Sequence, residues 1–181
     1  MIRDLDGEPP LPASQLVAEQ LVRHVASLRR YALLLIGDAA DADDAVQETL
    51  TRVLSRARST SIDDLRAYLF STLHNVFIDS TRREKRMAGD ALTEELLDSL
   101  ISPANQQKRL ELRDTALALA KLPMEQREVV LLVGLEGLSY LEAAEALDIP
   151  VGTVMSRLSR GREALRSMTH RGAARKLRIV K

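Results

Sequence analysis

The chain has 181 residues, its 26 Lys and Arg balance 26 Asp and Glu, and it has no cysteine, which excludes a disulfide framework and any thiolate metal site. Hydrophobic residues make up 45% and aromatics only 3%, an Ala- and Leu-rich balance that favours an all-α fold in one or two small domains. The apolar run 32–36 is far too short to cross a bilayer, and the acidic, Pro-containing N-terminus does not resemble a secretion signal, so a cytoplasmic protein without stable membrane insertion is expected.

In chain order, residues 1–13 carry Pro9, Pro10 and Pro12 with little apolar periodicity, and are expected to be disordered. Leu16, Leu21, Val25, Leu28, Tyr31, Ala32 and Leu35 then recur as one amphipathic helix, ended by Gly37 and Asp38. A second helix, about 41–57, turns Ala45, Val46, Leu50, Val53 and Leu54 inward and Asp43, Asp44, Gln47, Glu48 and Arg52 outward. Its first turn is acidic, as the helix dipole favours. After a Ser59-Thr60-Ser61 loop, a third helix carries Leu65, Tyr68, Leu69, Leu73, Val76, Phe77 and Ile78 and runs into Arg82, Arg83, Lys85 and Arg86.

Three of the five aromatic residues, Tyr68, Phe70 and Phe77, lie in that third helix beside Asn75 and its basic exit. Rings next to cations suit unpaired bases, although apolar residues at this spacing are more often core. Asn75 is the exception, because an Asn inside a helix loses propensity and either bonds locally or offers its amide to a ligand.

Residues 88–107 read as a flexible acidic linker, with a weak helix at 93–100, and Ser102-Pro103 near its end. A helix over about 104–121 follows; Pro123 is then placed to open another through Val133, ended by Gly134 and Gly137.

The most informative stretch is 138–166, which reads as a helix-turn-helix. Ser139 and Glu142 have the spacing of a capping box, and Leu141, Ala144 and Leu147 form the apolar stripe of a short helix whose Ala143 and Ala144 allow close approach. Asp148, Ile149 and Pro150 make the turn. In the helix from Pro150, Val154, Leu158 and Leu165 face inward, leaving Thr153, Ser156, Arg157, Ser159, Arg160 and Arg162 as donors for base edges and phosphates. The zero net charge hides an uneven distribution. From Val151 onward Arg157, Arg160, Arg162, Arg166, Arg171, Arg175, Lys176, Arg178 and Lys181 face Glu163 alone, whereas 38–48 and 90–98 are acidic. A basic end and acidic surfaces call for partners of both kinds. His24, His74 and His170 lack metal-ligand spacing, so no metal or cofactor is expected. Carboxylates cluster only on an exposed helix face without a histidine or phosphate loop, which argues against an enzyme.

Three blocks in order, 41–54 (DADDAVQETLTRVL), 65–86 (LRAYLFSTLHNVFIDSTRREKR) and 122–166 (beginning LPMEQREVVLLVGLEG), resemble the bacterial sigma factors, specifically the small extracytoplasmic-function group that keeps only the second and fourth sigma domains. The resemblance spans about 21–166. It implies sigma domain 2 over 14–87, the linker over 88–107, sigma domain 4 over 108–170 and a basic tail over 171–181. By similarity, Asp43, Asp44, Gln47 and Glu48 would dock on core RNA polymerase. Tyr68, Asn75, Arg82, Arg83 and Arg86 would open and read the minus-ten element. Thr153, Ser156, Arg157, Ser159, Arg160 and Arg162 would read the minus-thirty-five element, and the linker would thread the RNA path. The implied partners are core RNA polymerase, promoter DNA and an anti-sigma factor. The chain departs from the family pattern at Tyr68, often Trp, at Met155, often Lys or Arg, and at Asp148, often Gly. Two alternatives are a sigma-like adaptor, which would lack the basic reading helix, and a dimeric operator-binding regulator, which would need a ligand or dimerisation domain in place of the N-terminal block.

Overall fold

The computed structural model describes residues 13–83 and 106–177, and every regular element among them is helical. The N-terminal half holds α1 (Ala13–Ile36), α2 (Ala39–Ala57) and α3 (Leu65–Arg83). The C-terminal half holds α4 (Gln106–Ala120), α5 (Met124–Val129), a π-helical turn (Val130–Leu135), α6 (Tyr140–Leu147) and α7 (Val151–Leu177). The expected helix at 93–100 and most of the linker lie outside the described residues. α7 continues past residue 170, into the stretch read from sequence as a tail.

Local signals account for most boundaries. Gly37 adopts φ +87° and donates its N–H to the Leu33 carbonyl at 3.0 Å, closing α1 in a conformation that costs glycine nothing. Asp38 then opens α2, its carboxylate accepting from the Asp41 N–H at 3.0 Å. Pro123 stands just before α5, as expected. Gly134, however, does not end that helix. The chain passes through it in a π-helical turn, with the Glu136 N–H donating to the Leu131 carbonyl at 2.9 Å, and leaves the turn at Gly137, φ +70°.

The two halves share one core. In α1, Leu28 and Tyr31 to Leu35 are all buried, because this helix packs against α2 and α3 on one side and against α4, α5 and the π-turn on the other. A helix apolar all round is a helix enclosed all round, which explains the run 32–36. Tyr31 meets Phe70 of α3 edge to face, ring centroids 5.4 Å apart at 81°. Behind this contact α3 packs on α6, where Ala143, Ala144 and Ala146 are small enough to admit it.

Polar groups fix how the halves meet. The Arg30 guanidinium donates to both oxygens of Glu136 at 2.8–3.0 Å, and Arg66 donates to the Glu136 carbonyl. Arg127 reaches across to the Leu35 carbonyl at 3.2 Å while also satisfying the Leu119, Ala120 and Leu122 carbonyls at the end of α4. Burial holds the Arg127 pKa below its ordinary value, an effect that Glu128 partly opposes. His74 Nδ1 lies 3.2 Å from Glu128 Oε1, yet neither atom, nor the Tyr31 hydroxyl, makes a well-angled hydrogen bond. Burial first, then Glu128 and Glu136, push the Tyr31 pKa well above its ordinary value, so it stays a neutral phenol.

Two glycines of α7 behave oppositely. A Cβ on Gly161 would stand 2.6 Å from Val130 Cγ2, whereas one on Gly152 would meet nothing within 4 Å. Valine is stiff at χ1, so the clash at Gly161 is relieved only by moving a helix. Gly161→Ala should lower stability by about 1–2 kcal/mol, overpacking outweighing the helix-propensity gain, while Gly152→Ala should raise it by up to ~1 kcal/mol. Thermal unfolding of the two variants checks this, and shifts of the same sign would contradict the packing described.

Candidate nucleic-acid interface

The helix-turn-helix forms as its local chemistry dictates. Ser139 Oγ accepts from the Glu142 N–H at 3.2 Å, and the Glu142 carboxylate accepts from the Ser139 N–H at 2.6 Å, the reciprocal pair of a capping box. Asp148 ends α6 at φ 51°, ψ 49°, a left-handed conformation that Asp tolerates better than most residues. The Thr153 N–H donates to the Pro150 carbonyl at 2.8 Å as α7 begins. Val154 and Leu158 are fully buried and Leu165 half-buried, as the spacing predicts. Leu141 is not on the inner face: it is 61% exposed, and Ala143, Ala144, Ala146 and Leu147 do the packing. The short helix is enclosed by both α3 and α7, so its buried face is wider than one stripe.

Along α7, Ser156, Ser159, Arg160 and Arg162 are exposed, and Thr153 is half-buried. Arg160 folds back on its own helix, donating to the Ser156 carbonyl at 3.2 Å and to its hydroxyl at 3.3 Å. Arg157 differs from the others. Its side chain is 20% exposed and pairs with Glu125 of α5 at 3.0 Å. Glu125 is a site residue that sequence reasoning missed, since no local pattern links positions 32 residues apart.

On α3, Phe70 and Phe77 are core residues, 1% and 4% exposed, so neither is a stacking surface. Tyr68 is half-buried and lines an open cleft with Arg56, Asp64 and Ser71, closed on one side by Glu145 and Ala146 of α6. Asn75 is exposed on α3. Arg82 and Arg83 lie in its final turn, and Arg86 is outside the described residues.

The acidic face of α2 is exposed but already carries cations. Asp43 pairs with Arg29 at 2.6 Å, and Glu48 pairs with Arg52 at 2.7 Å; hydrogen bonding to these carboxylates raises both arginine pKa values. Asp44 and Gln47 are exposed beside them. Among the described residues no cluster of His, Asp and Glu could hold a metal ion, and no helix is long and apolar enough to cross a membrane.

Comparison with known proteins agrees with this arrangement. Residues 21–87 match Sigma-70 region 2 and residues 112–165 match Sigma-70 region 4. The chain is 37% identical over 161 residues to the ECF RNA polymerase sigma factor EcfG of Rhodopseudomonas palustris, covering 88% of each protein. It is also similar in fold to the sigma factor RpoE of Bartonella quintana, solved in complex with the anti-sigma factor NepR, at a TM-score of 0.71 and 29% identity, covering 86% of this chain and 98% of that one. A second solved relative is CnrH in complex with the cytosolic domain of CnrY, at a TM-score of 0.64 and 27% identity, covering 86% of this chain and 88% of that one.

Glu125 competes with any outside anion for Arg157. Glu125→Ala should therefore free a cation on α7, tightening binding to duplex DNA and steepening the salt dependence by about one unit of log K against log salt. Titration at several salt concentrations reads this directly, and an unchanged slope would mean that Arg157 does not reach phosphate.

Proposed function

The chain belongs to the ECF RNA polymerase sigma factors, and from that premise we propose that it binds core RNA polymerase and directs it to promoters, supplying recognition and strand opening while the polymerase performs the chemistry. The observation that carries this reading is the capped helix-turn-helix with exposed Ser156, Ser159, Arg160 and Arg162, in one chain with exposed Asn75 on α3. α7 enters the major groove at the minus-thirty-five element, where Thr153, Ser156 and Ser159 reach base edges and Arg160 and Arg162 hold phosphates. Arg157 joins them only by giving up Glu125. At the minus-ten element Asn75 offers its amide to an extruded base, Tyr68 lies near it, and Arg82, Arg83 and Arg86 follow the backbone. Extrusion costs a few kcal/mol, which such contacts must offset. Asp43, Asp44, Gln47 and Glu48 form the polymerase-docking face. The protein acts in the cytoplasm without catalysis of its own, and an anti-sigma factor restrains it, in keeping with the two solved relatives that are each held by such a partner.

This function requires the halves to separate. Elements centred ten and thirty-five bases upstream are roughly 25 base pairs, on the order of 85 Å, apart at 3.4 Å per step. A folded chain of this length is only about 40 Å across. α3 and α6 in contact therefore cannot serve both elements at once. The interface is suited to opening, because the buried carboxylates of Glu128 and Glu136 lie along it and water solvates a carboxylate better than a protein interior does.

Three outcomes test the reading. In transcription with core polymerase, Asn75→Ala should impair open-complex formation on duplex promoters more than binding to a premelted fork, and Arg160→Ala should weaken upstream-element binding about equally for all sequences and lower its salt slope by about one unit. Equal defects of Asn75→Ala on duplex and fork would remove the base-extrusion role. Arg30→Ala leaves the Glu136 carboxylate unpaired and should cost the closed arrangement about 2–3 kcal/mol, somewhat less than a fully buried pair because Arg30 is 40% exposed. Small-angle scattering should then report a larger radius of gyration; an unchanged radius would mean that this ion pair does not govern closure.

A further inference from the structure

We propose that Met155 is a specificity-determining residue that reads the 5-methyl group of a thymine in the upstream promoter element, an inference that rests on the sigma-factor reading of α7. Met155 is 51% exposed on the second turn of that helix, and it does not pack against the core. Its exposed neighbours on the helix are small or polar, Gly152 one turn earlier and Ser156 and Ser159 beyond, while Val151 is half-buried against the core. Gly152 is itself exposed, and a side chain there would meet nothing within 4 Å, so the core gives no reason for a residue that weakens a helix. Its effect is to lower the face at i−3 from Met155, letting an outside surface come close to the helix.

The chemistry of the thioether narrows what that surface presents. Met donates no hydrogen bond and accepts only weakly, so it neither holds phosphate nor reads the polar edge of a base. The nearest cation along the chain, Arg157, is two residues on and so lies on another face of the helix, where it pairs with Glu125 at 3.0 Å. In the major groove the apolar group that a base pair displays is the thymine methyl. An unbranched, polarisable side chain with three rotatable bonds can settle on that methyl from a range of docking angles.

The test uses the full chain with core polymerase. Upstream elements are selected from a random duplex library, and each thymine in the selected element is then replaced singly by deoxyuridine, which removes the methyl alone. Affinities are measured for the wild type, Met155→Leu and Met155→Ala; position 155 is exposed, so neither substitution disturbs the core. At one thymine the wild type and Met155→Leu should lose about fourfold in affinity, the equivalent of one apolar carbon left in water, while Met155→Ala should be insensitive there. Uniform tolerance of deoxyuridine by the wild type, a penalty that persists in Met155→Ala, or a selected element without thymine overturns the methyl contact and leaves the sigma reading standing. Failure to select any protein-dependent upstream element overturns both.

Discussion

A buried carboxylate costs several kcal/mol unless it is paired, and the Glu136 side chain is only 1% exposed. Its counter-charge, Arg30, comes from α1 in the other half of the chain, and Arg66 of α3 takes the carbonyl of the same residue. Three elements distant in sequence therefore converge on one residue, and the way the halves meet depends on it. The π-helical turn and Gly137 set its position. Glu136 donates its own N–H back to Leu131, so the residue that joins the halves is also the one that completes the turn.

This interface differs in kind from the core beneath each half. Within the N-terminal half, α2 presents Ala42, Ala45, Val46 and Val53 to α1 in ordinary apolar packing. Between the halves, apolar packing is mixed with charged groups and with buried polar atoms that lack well-angled partners. Such a surface has a larger polar share than a core of apolar side chains alone, and breaking its ion pair leaves a buried carboxylate without its counter-charge. Both properties suit the proposed separation of the halves onto two distant DNA elements.

The ion pairs also reshape the surfaces proposed to meet DNA and polymerase. Counting charges along 151–181 suggests a uniformly cationic helix, but Glu125 takes Arg157 and Ser156 orients Arg160. Counting carboxylates along 41–48 suggests a bare acidic face, but Arg29 and Arg52 partly neutralise it. Among the described residues, what stays outward on α7 includes Ser156, Ser159 and Ser167, the three arginines Arg160, Arg162 and Arg166, Glu163 and Met155, a surface that offers base-edge donors and an apolar contact beside its cations.

The sequence by itself determined whatever depends on neighbours along the chain. The capping box at Ser139 and Glu142, the turn at Asp148, the glycine stop at Gly37 and the buried stripe of Val154 and Leu158 all follow from interactions within a few residues, and so the helices and the helix-turn-helix were legible. The order of three blocks made the family legible as well. Only the tertiary structure decided which apolar residues were core when periodicity allowed two answers: Phe70 went inside against Tyr31 of α1, Phe77 is buried in the same core, and Leu141 stayed outside because α3 and α7 enclosed its alanine neighbours instead. It alone decided that α5 passes into a π-turn, that Arg157 is paired, and that the two halves close on Arg30 and Glu136, 106 positions apart. Pairings across such distances follow from the packing of whole helices, for which no local pattern in the sequence carries a signal.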